Sequence, residues 1–466
     1  MDVRISNNIT VKNPSLDLIK WCNKELVIPN PDYTKKQRMG FWLGNTPKTI
    51  SLFEKKGDDL ILPYGVVGKI WPLITTEDVF HMDFAPHKWV SFPQNIPLYD
   101  YQEEAVNTLM GVPHGILQAP AGSGKTQIGL ALIQRKKLKA LWLTHTHDLL
   151  MQSKQRAERY MPDGIGTITE GKVNIGSAIT FATVQTMSRL YLDAYKNEWD
   201  VIIVDECHRV AGSPTAVTMF SKVLGSLAAR HKYGLSATVH RADGLIKATY
   251  ALLGDVVYSV PREAVARRVM PVIIQPVETG VPVTDECLNV DGTLNYSGMI
   301  NYLSENVLRN QLIVEDMRNR CVDSPTLILS DRLAHLETLM SMLPDRMRGD
   351  AVMISGKMTS KKGKAEREQA IEDMRRGLKK YLFATYSLAK EGLDIPCLEI
   401  LYLATPQKDS AVIEQSIGRV ARVCEGKLPP VCVDLVDDIG YLQRAFKKRL
   451  TTYRKCGCVI REFERR

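Results

Sequence analysis

A glycine-rich segment between an apolar run and a helical stretch is the part of this chain whose residue types and spacing best suit chemistry. Gly115-Ile116-Leu117 leads into Ala119-Pro120-Ala121-Gly122-Ser123-Gly124-Lys125-Thr126, and residues 128–133 continue as a helix. Such a loop turns successive backbone N–H groups toward one anion, where the helix N-terminus adds positive potential. We expect residues 121–124 to hold phosphates, Lys125 to reach the β- and γ-phosphates, and Thr126 to hold Mg²⁺ through its hydroxyl.

Two adjacent carboxylates follow a second apolar run further along the chain. Val201-Ile202-Ile203-Val204 is β-branched and ends in Asp205-Glu206-Cys207-His208. Asp205 is expected to hold Mg²⁺, partly through water, and Glu206 to orient the attacking water. Ala119 replaces the glycine that usually opens such a phosphate loop, and alanine is small enough for the turn. Together the two segments predict a protein that binds ATP with Mg²⁺ and hydrolyses it.

Length, composition and charge favour a multidomain globular protein with a polyanionic partner. The chain has 466 residues, of which 44% are hydrophobic and 24% charged, enough for roughly two to four domains. We find neither a signal peptide nor an apolar run of membrane-spanning length, and the nine scattered cysteines suit reduced thiols in the cytoplasm. The net charge is +9, and residues 444–466 are especially basic, which suits either a nucleic-acid contact or a solvated terminal helix.

Apolar runs divide the chain into three expected parts. Residues 1–92 combine short strand-like runs with Pro and Gly, which suggests a small N-terminal α+β module. Within 93–262, and again within 263–466, β-branched runs alternate with helical stretches, so each is expected to form a parallel sheet covered by helices. The expected strands of the two sheets include Leu141–Leu143, Ile179–Ala182, Val201–Val204, Thr326–Leu329, Ala351–Ile354, Tyr381–Ala384, Ile400–Leu403 and Val431–Leu435.

Further motifs follow in a fixed order. Ser236-Ala237-Thr238 comes after Asp205, Ala384-Thr385-Tyr386-Ser387 precedes Glu391-Gly392-Leu393-Asp394-Ile395-Pro396, and Gln415-Ser416-Ile417-Gly418-Arg419-Val420-Ala421-Arg422 comes last. With the two segments above, this order resembles the motif series of superfamily 2 helicases over residues 99–422. The resemblance implies an α/β chain with two RecA-like domains in tandem and ATP bound between them.

The resemblance also implies roles for individual residues on the nucleotide side. Gln102 is expected to contact adenine, His208 to link the ATP state to the nucleic-acid side, and Gly392 and Asp394 to belong to the nucleotide site. Gln415, Arg419 and Arg422 are expected to act in catalysis. The three-residue spacing of the two arginines would allow one helix face to carry both, and arginine fingers accelerate phosphoryl transfer roughly a thousandfold or more.

On the nucleic-acid side the resemblance implies contacts from loop ends, where hydroxyls and backbone N–H groups grip phosphates without reading sequence. His145 stands where a proline is common, so this loop departs from the usual pattern. An isolated Ser or Thr at such a position equally suits helix capping. The expected DNA contacts are Thr146, Gln152, Thr183, Gln185, Arg241, Ser355 and Thr385.

The N-terminal residues narrow the resemblance. Lys35-Lys36-Gln37-Arg38-Met39-Gly40-Phe41-Trp42-Leu43-Gly44, followed by Leu62-Pro63-Tyr64-Gly65-Val66-Val67-Gly68, resembles the N-terminal module of UvsW-type phage branch-migration helicases, on the DNA-directed branch that includes XPB. Lys35, Lys36 and Arg38 are expected to bind DNA phosphates. Phe41 and Trp42 either stack on an unpaired base or lie in the module's core.

These observations predict an ATP-dependent DNA helicase or translocase, expected to act as a monomer in the host cytoplasm without an obligate protein partner. Its substrates would be single-stranded or branched DNA (Holliday junctions, forks, D-loops and R-loops, the last with an RNA–DNA hybrid) in phage recombination, repair and replication. The alternative is a transcript-releasing or RNA-displacing helicase that acts with RNA polymerase. A non-unwinding ATP-gated clamp and a restriction translocase are further alternatives, although the sequence shows no nuclease or methylase motif.

Overall fold

The computed structural model describes two compact units, Met1–Pro261 and Arg262–Arg466. Within them the structure describes residues 1–75, 77–93, 95–120, 122–238, 244–266, 269–356, 358, 360–390 and 393–465. Residues 1–92 belong to the first unit, together with the first large sheet.

The N-terminal residues form a small α+β module. Its main sheet has five strands in the order β5-β6-β2-β1-β7, and β3 pairs separately with β4. Alternating apolar residues of β1 and β2, such as Val3, Ile5, Ile9 and Val11, are buried, as expected for strands with one face on a core. The elements are β1 Asp2–Ile5, β2 Ile9–Lys12, α1 Leu16–Glu25, β3 Val27–Pro29, α2 Pro31–Arg38, β4 Thr49–Ser51, β5 Glu54–Lys56, β6 Asp59–Leu62, α3 Val67–Ile70 and β7 Val79–Met82.

The rest of the first unit is an eight-stranded sheet in the order β11-β10-β12-β9-β13-β14-β8-β15. Its pairs are parallel except for the β10–β11 hairpin. The central strands are buried along their whole length, which is why they read as continuous apolar runs. The elements are α4 Asp100–Met110, β8 His114–Gln118, α5 Lys125–Lys136, β9 Ala140–Thr144, α6 His147–Glu158, β10 Ile165–Thr169, β11 Lys172–Asn174, β12 Ile179–Thr183, α7 Val184–Met187, β13 Val201–Asp205, α8 Pro214–Ser226, β14 His231–Ser236, α9 Ile246–Leu253 and β15 Val256–Ser259.

The second unit repeats this architecture around a sheet in the order β18-β19-β17-β20-β21-β16-β22, with β23 also paired to β16. All of these pairs are parallel. The elements are α10 Arg262–Ala266, β16 Ile273–Pro282, α11 Tyr296–Glu305, α12 Val307–Arg320, β17 Thr326–Ser330, α13 Leu333–Met342, α14 Asp345–Gly349, β18 Ala351–Ile354, α15 Lys361–Arg375, β19 Tyr381–Thr385, α16 Tyr386–Lys390, β20 Ile400–Leu403, α17 Ser410–Val420, β21 Val431–Asp438, α18 Gly440–Lys455, β22 Val459–Ile460 and β23 Glu464–Arg465.

The fold class predicted from sequence is therefore confirmed: two parallel-sheet α/β units and a small α+β module. Each apolar run named as an expected strand lies within a strand of the structure. Buried side chains pack on both faces of each large sheet, because parallel strands must be covered on both sides.

The N-terminal module packs closely on the first large sheet and its helices. A Cβ on Gly65 would lie 2.4 Å from the backbone nitrogen of Gly254, so only a glycine permits this approach. Ala251 of α9 belongs to the module's own apolar core. Lys232 of β14 is fully buried at the same contact, where its Nζ donates to the carbonyl oxygens of Asn7 (3.1 Å) and Leu224 (2.7 Å).

Tyr64 closes this contact from the module side. Its ring lies 4.8 Å from Lys232 Nζ, and its hydroxyl donates to the carbonyl oxygen of Arg230 at 2.8 Å. Burial lowers the pKa of Lys232 to about 7. The module is thus joined to the first sheet by buried polar and apolar contacts rather than by a linker alone.

Among the helices of the described residues, none combines the length and apolar character needed to cross a membrane.

Candidate functional site

The glycine-rich loop follows β8 and leads directly into α5, as the sequence predicts. Gly122 and Gly124 have φ angles of 82° and 76°, in the left-handed region that favours glycine. A Cβ on Gly124 would also lie 2.4 Å from the Gln102 side-chain nitrogen. The left-handed backbone therefore favours glycine at position 124, and a larger residue there would also displace the Gln102 side chain.

Gln102 and Tyr101 of α4 fix the loop from outside. Gln102 Nε2 donates to the carbonyl oxygen of Ser123 at 2.9 Å, and the Tyr101 hydroxyl donates to the same oxygen at 3.1 Å. Gln102 Oε1 accepts from the backbone N–H of Tyr99 at 3.0 Å. An adenine contact by Gln102, which stays a prediction, would use its second N–H and its second oxygen lone pair.

Lys125 points its ammonium toward the carboxylates at the end of β13. Its Nζ lies 3.4 Å from the carbonyl oxygen of Ala119 and 3.7 Å from Glu206 Oε1. Only 13% of the Lys125 side chain is exposed. A charge held here, beside the loop and the carboxylates, is placed for the terminal phosphates of a nucleotide.

Asp205 is the last residue of β13 and is almost fully buried. Its Oδ2 accepts from Ser153 Oγ at 3.4 Å, and its Oδ1 accepts from the backbone N–H of Glu206 at 2.9 Å. Burial, with the neighbouring Glu206 charge, raises the pKa of Asp205 to about 6. A buried carboxylate whose ionised form is so disfavoured is suited to a cation.

The donor set here fits Mg²⁺ held together with a nucleotide, since Mg²⁺ usually takes one or two protein oxygens plus phosphates and water. Thr126 is the second residue of α5, directly after Lys125, and offers a hydroxyl. Ser123 Oγ is fully buried and has no hydrogen-bond partner among the described residues. The same residues include no group of three or more His, Cys, Asp or Glu side chains able to hold a metal alone.

Glu206 and His208 connect the carboxylate pair to the next motif. Glu206 has φ +48°, an uncommon conformation for a non-glycine residue, of the kind that concentrates at functional sites. His208 Nδ1 lies 3.3 Å from Glu206 Oε2 and 3.0 Å from Ser236 Oγ. The Ser236 hydroxyl donates to the carbonyl oxygen of Thr238 at 2.7 Å, so it accepts from His208, and Nδ1 carries the proton.

Three of the residues expected to hold DNA in the first unit form hydrogen bonds with neighbouring loop and helix residues. Gln185 Nε2 donates to the carbonyl oxygen of His145 at 2.8 Å, so the Gln185 side chain ties the start of α7 to the end of β9. Thr146 caps α6 by accepting from the backbone N–H of Leu149 at 3.4 Å. Thr183 Oγ1 donates to Thr186 Oγ1 at 3.0 Å, and Gln152 is half-buried on α6.

In the second unit, the two expected arginine fingers turn toward one loop. Arg419 Nη1 donates to the carbonyl oxygen of Leu393 at 3.0 Å, and Arg422 is ion-paired with Asp394. The prediction that one helix face carries both arginines is wrong, because α17 ends at Val420 and Arg422 lies beyond it. The two side chains converge on residues 393–394 nevertheless.

The remaining predicted residues of the second unit lie at strand ends or on α17. Thr385 ends β19, and its hydroxyl is 2.9 Å from Ser387 Oγ. Ser355 follows β18, and its carbonyl oxygen accepts from the N–H of Met358 at 3.1 Å. Gln415 is half-buried on α17. Ala121, Arg241 and Gly392 lie outside the described residues.

The basic segment of the N-terminal module ends α2 and continues into an exposed turn. The Phe41 and Trp42 side chains are 58% and 88% exposed, so they do not lie in the module's core. Lys35 and Arg38 are exposed beside them, whereas Lys36 Nζ donates to Thr46 Oγ1 at 2.7 Å and steadies the turn. We call residues 35–42 the basic-aromatic segment.

Ser153 is a site residue that sequence reasoning missed. It lies on the buried face of α6 with Leu150 and Ala157, three and four residues away, and donates to Asp205. A lone hydroxyl on an otherwise apolar helical stripe was the signal available. Tyr101, which holds the phosphate loop, carried no comparable signal.

Two family models match the chain. The family described as "Type III restriction enzyme, res subunit" matches residues 95–241, and the "Helicase conserved C-terminal domain" matches residues 308–424. The first contains the phosphate loop and the carboxylate pair, and the second contains Thr385, Asp394 and both arginines.

The chain is similar to curated helicases over much of its length. It is 26% identical to "Probable helicase D10" of Escherichia phage T5 over 98% of this chain and 95% of that protein. It is 25% identical to "DNA 3'-5' helicase XPB" of Kineococcus radiotolerans over 73% of this chain and 58% of that protein.

Solved structures match with lower sequence identity. The crystal structure of T4 UvsW matches over the whole of both chains, with 17% identity and a TM-score of 0.42. The S. cerevisiae Dbp5 structure bound to RNA and ADP BeF3 matches over 79% of this chain and 90% of that chain, with 18% identity and a TM-score of 0.56. The latter likeness concerns the fold, and it agrees with tandem RecA-like units.

Proposed function

The chain belongs to the superfamily 2 helicases, and we propose that it is a DNA translocase that moves the branch point of branched DNA. An ATP-dependent helicase activity and a nucleic-acid partner follow from the family. The choice of DNA, the branched substrate and the use of Mg²⁺ are the proposal. Its substrates are Holliday junctions, forks, D-loops and R-loops.

The hydrolysis step is assigned to residues of the first unit. The backbone of residues 122–124 and the Lys125 ammonium bind the phosphates, and Glu206 orients and deprotonates the attacking water. Mg²⁺ held by Thr126 and Asp205 would neutralise charge on the β- and γ-phosphates. His208 passes the state of Glu206 to Ser236, because its Nδ1–H faces both side chains.

The observation that carries the branched-DNA proposal is the exposure of Phe41 and Trp42 beside Lys35 and Arg38. Two adjacent exposed rings beside two exposed cations suit an unpaired base and its phosphates, and ring stacking on such a base is worth about 1–3 kcal/mol. Unpaired bases occur where DNA arms meet. Because the module packs on the first large sheet, the basic-aromatic segment is fixed relative to the ATP site of that unit.

Energetics favour branch migration for a motor of this size. Plain unwinding must supply about 1.4 kcal/mol for each base-pair step, whereas branch migration forms one pair for each pair broken. The similarity to a DNA 3'-5' helicase supports 3'-to-5' movement on DNA. The phage relative supports action in a host cytoplasm. A monomeric state and a role in recombination, repair and replication are part of the proposal.

The test is ATP hydrolysis by the purified chain with no nucleic acid, single-stranded DNA, a four-way junction, an R-loop or single-stranded RNA, with Glu206→Gln as the blank. The proposal expects the strongest stimulation by the junction, followed by strand exchange of that junction. Stimulation by RNA alone would overturn it and favour a helicase that displaces RNA at the polymerase.

A paired variant examines the basic-aromatic segment directly. Phe41→Ala with Trp42→Ala should lower the ratio of junction-stimulated to single-strand-stimulated turnover about tenfold, from the loss of ring stacking. Tyr191→Ala is the matched control, because Tyr191 is 75% exposed and lies outside the segment. An unchanged ratio in the double variant would exclude a role for these rings at the junction.

A further inference from the structure

Helix α18 of the second unit has positive charges on one face and no negative charge anywhere along its sixteen residues, GYLQRAFKKRLTTYRK. Five cationic side chains on it are exposed, at spacings of three, four, ten and eleven residues from the first. Residues so spaced share one face of a helix. We call this set the basic stripe: Arg444, Lys447, Lys448, Arg454 and Lys455.

The opposite face of α18 is fixed to the sheet by a sixth cation. Arg449 is almost fully buried and donates two hydrogen bonds to the Asp434 carboxylate, both 2.8 Å long. The Tyr453 hydroxyl donates to the same carboxylate at 2.7 Å. Since Arg449 anchors the helix, the stripe is held in one orientation and none of its own charges is needed for packing.

Within the described part of the chain, no stripe side chain forms an ion pair. Three acidic residues in this part of the second unit already have partners. Asp438 accepts from Gln443 at 2.9 Å, Asp409 caps α17 through the N–H of Ala411 at 2.9 Å, and Glu414 pairs with Arg262 at 3.4 Å. Five like charges on one face repel one another, so the arrangement is stabilised by an external polyanion.

A cavity of about 290 Å³ continues the stripe toward the start of α17. It is lined by Lys448 and Thr451 of α18 and by Lys408 and Ser410 before and at the start of α17. Lys408 Nζ lies 4.6 Å from the centre of the Tyr296 ring, and this contact holds the exposed Lys408 ammonium in place beside the stripe. The cavity has room for a phosphate group with ammonium and hydroxyl donors on two sides.

The stripe suits duplex phosphates better than unpaired bases. It is about 16 Å long at the rise of an α-helix, which is roughly five phosphates along one strand of duplex DNA. Single strands are usually bound with aromatic rings that stack on bases. Phe446 and Tyr453 of α18 are buried, and the half-buried Tyr441 packs edge-on against Tyr296, so the stripe offers mainly charges.

We propose that the basic stripe and Lys408 bind the phosphate backbone of a duplex arm of the substrate. This surface is additional to the helicase motifs of the second unit. This proposal rests on the proposed function. It adds that α18, a helix outside those motifs, binds the duplex part of the DNA substrate.

The test compares Lys447→Gln, Lys448→Gln, Arg454→Gln with a control of equal charge change, Lys12→Gln, Lys55→Gln, Lys56→Gln. The control side chains are exposed on β2 and β5, outside every surface assigned here. Binding of a blunt DNA duplex is measured by fluorescence anisotropy between about 50 and 200 mM salt. Thermal melting of both variants verifies folding, which exposed substitutions leave nearly unchanged.

Each lost phosphate contact should lower the slope of log K against log salt by about 0.9. The stripe variant is therefore expected to lose two to three in slope, and about tenfold or more in duplex affinity at low salt, relative to the control. An unchanged slope would overturn the proposal, and so would an equal loss on single-stranded DNA. Because this binding is measured without ATP, it remains informative if junction DNA fails to stimulate hydrolysis.

Discussion

His208 Nδ1 lies 3.0 Å from Ser236 Oγ, which joins the segment that carries the Asp205 and Glu206 carboxylates to the first residue of the Ser-Ala-Thr motif. Ser236 passes the contact on to the backbone of Thr238. The two motifs are therefore joined through His208, whose Nδ1 also lies 3.3 Å from Glu206 Oε2. Under the proposed role of Glu206 in orienting water, a movement of its carboxylate on phosphate cleavage would be transmitted through His208 and Ser236 to Thr238.

Ser236→Ala should uncouple hydrolysis from nucleic acid, because His208 then loses one of its two partners. A net hydrogen bond is worth about 1 kcal/mol or slightly more. The ratio of DNA-stimulated to unstimulated ATP turnover is expected to fall about tenfold. Ser236→Thr, which keeps the hydroxyl, is the matched control, and an unchanged ratio in the alanine variant would exclude this route of coupling.

Loss of the residues assigned to the nucleotide should stop turnover and leave DNA binding. Lys125→Ala and Glu206→Gln are each expected to abolish ATP hydrolysis. Arg419→Ala should reduce it about a thousandfold if Arg419 acts as an arginine finger. Turnover and DNA affinity are measured side by side. Near-normal hydrolysis by Arg419→Ala would remove this arginine from the reaction.

The proposed Mg²⁺ site predicts a changed metal requirement. Thr126→Val removes a hydroxyl and should raise the Mg²⁺ concentration for half-maximal hydrolysis about tenfold, as expected for a lost ligand. Thr126→Ser, which keeps the hydroxyl, should remain near the natural value. The rate of ATP hydrolysis by each variant is measured as Mg²⁺ is titrated at a fixed ATP concentration. The same Mg²⁺ dependence for the valine and serine variants would exclude Thr126 from the metal site.

Lys232 makes the stability of the first unit depend on pH. Its pKa falls to about 7 in the folded chain from an ordinary value of 10.5, because of burial. Above pH 7 the unfolded chain keeps a proton that the folded chain has released, so stability rises with pH until about 10.5. Below pH 7 both states are protonated and the full cost of burying the charge remains.

The measurement is urea unfolding of the natural chain and of Lys232→Met between about pH 7 and 8.5, a range in which most thiols stay protonated. The unfolding free energy of the natural chain should rise relative to that of the variant by up to about 1.4 kcal/mol per pH unit. A constant difference between them would mean that Lys232 stays charged in the folded chain.

Sequence alone was sufficient wherever local pattern and chemistry coincide. Continuous β-branched runs such as Val201–Val204 favour strands buried on both faces, and the glycine-rich loop has left-handed backbone at Gly122 and Gly124. The expected strands of the two parallel sheets were correct for that reason.

Contacts between distant residues were beyond reach of the sequence. Helix α17 ends before Arg422, which pairs with Val269, a residue that lies 153 positions earlier in the chain. The helical spacing of Arg419 and Arg422 was therefore misleading. Whether Phe41 and Trp42 were buried depended on the shape of the whole module. Ser153 and Tyr101 became visible as site residues only once α4, α6 and β13 were placed.

The approach of Gly65 to Gly254 has a consequence for the evolution of this chain. Because the two backbones leave no room for a side chain, a substitution at Gly65 requires a compensating shift of the backbone near Gly254. The N-terminal module therefore cannot be exchanged independently of the first large sheet. Replacing it with an unrelated domain would expose Ala251 and Lys232 to solvent. A truncated chain that begins at residue 93 would lose stability in its first unit and would not be a smaller working helicase.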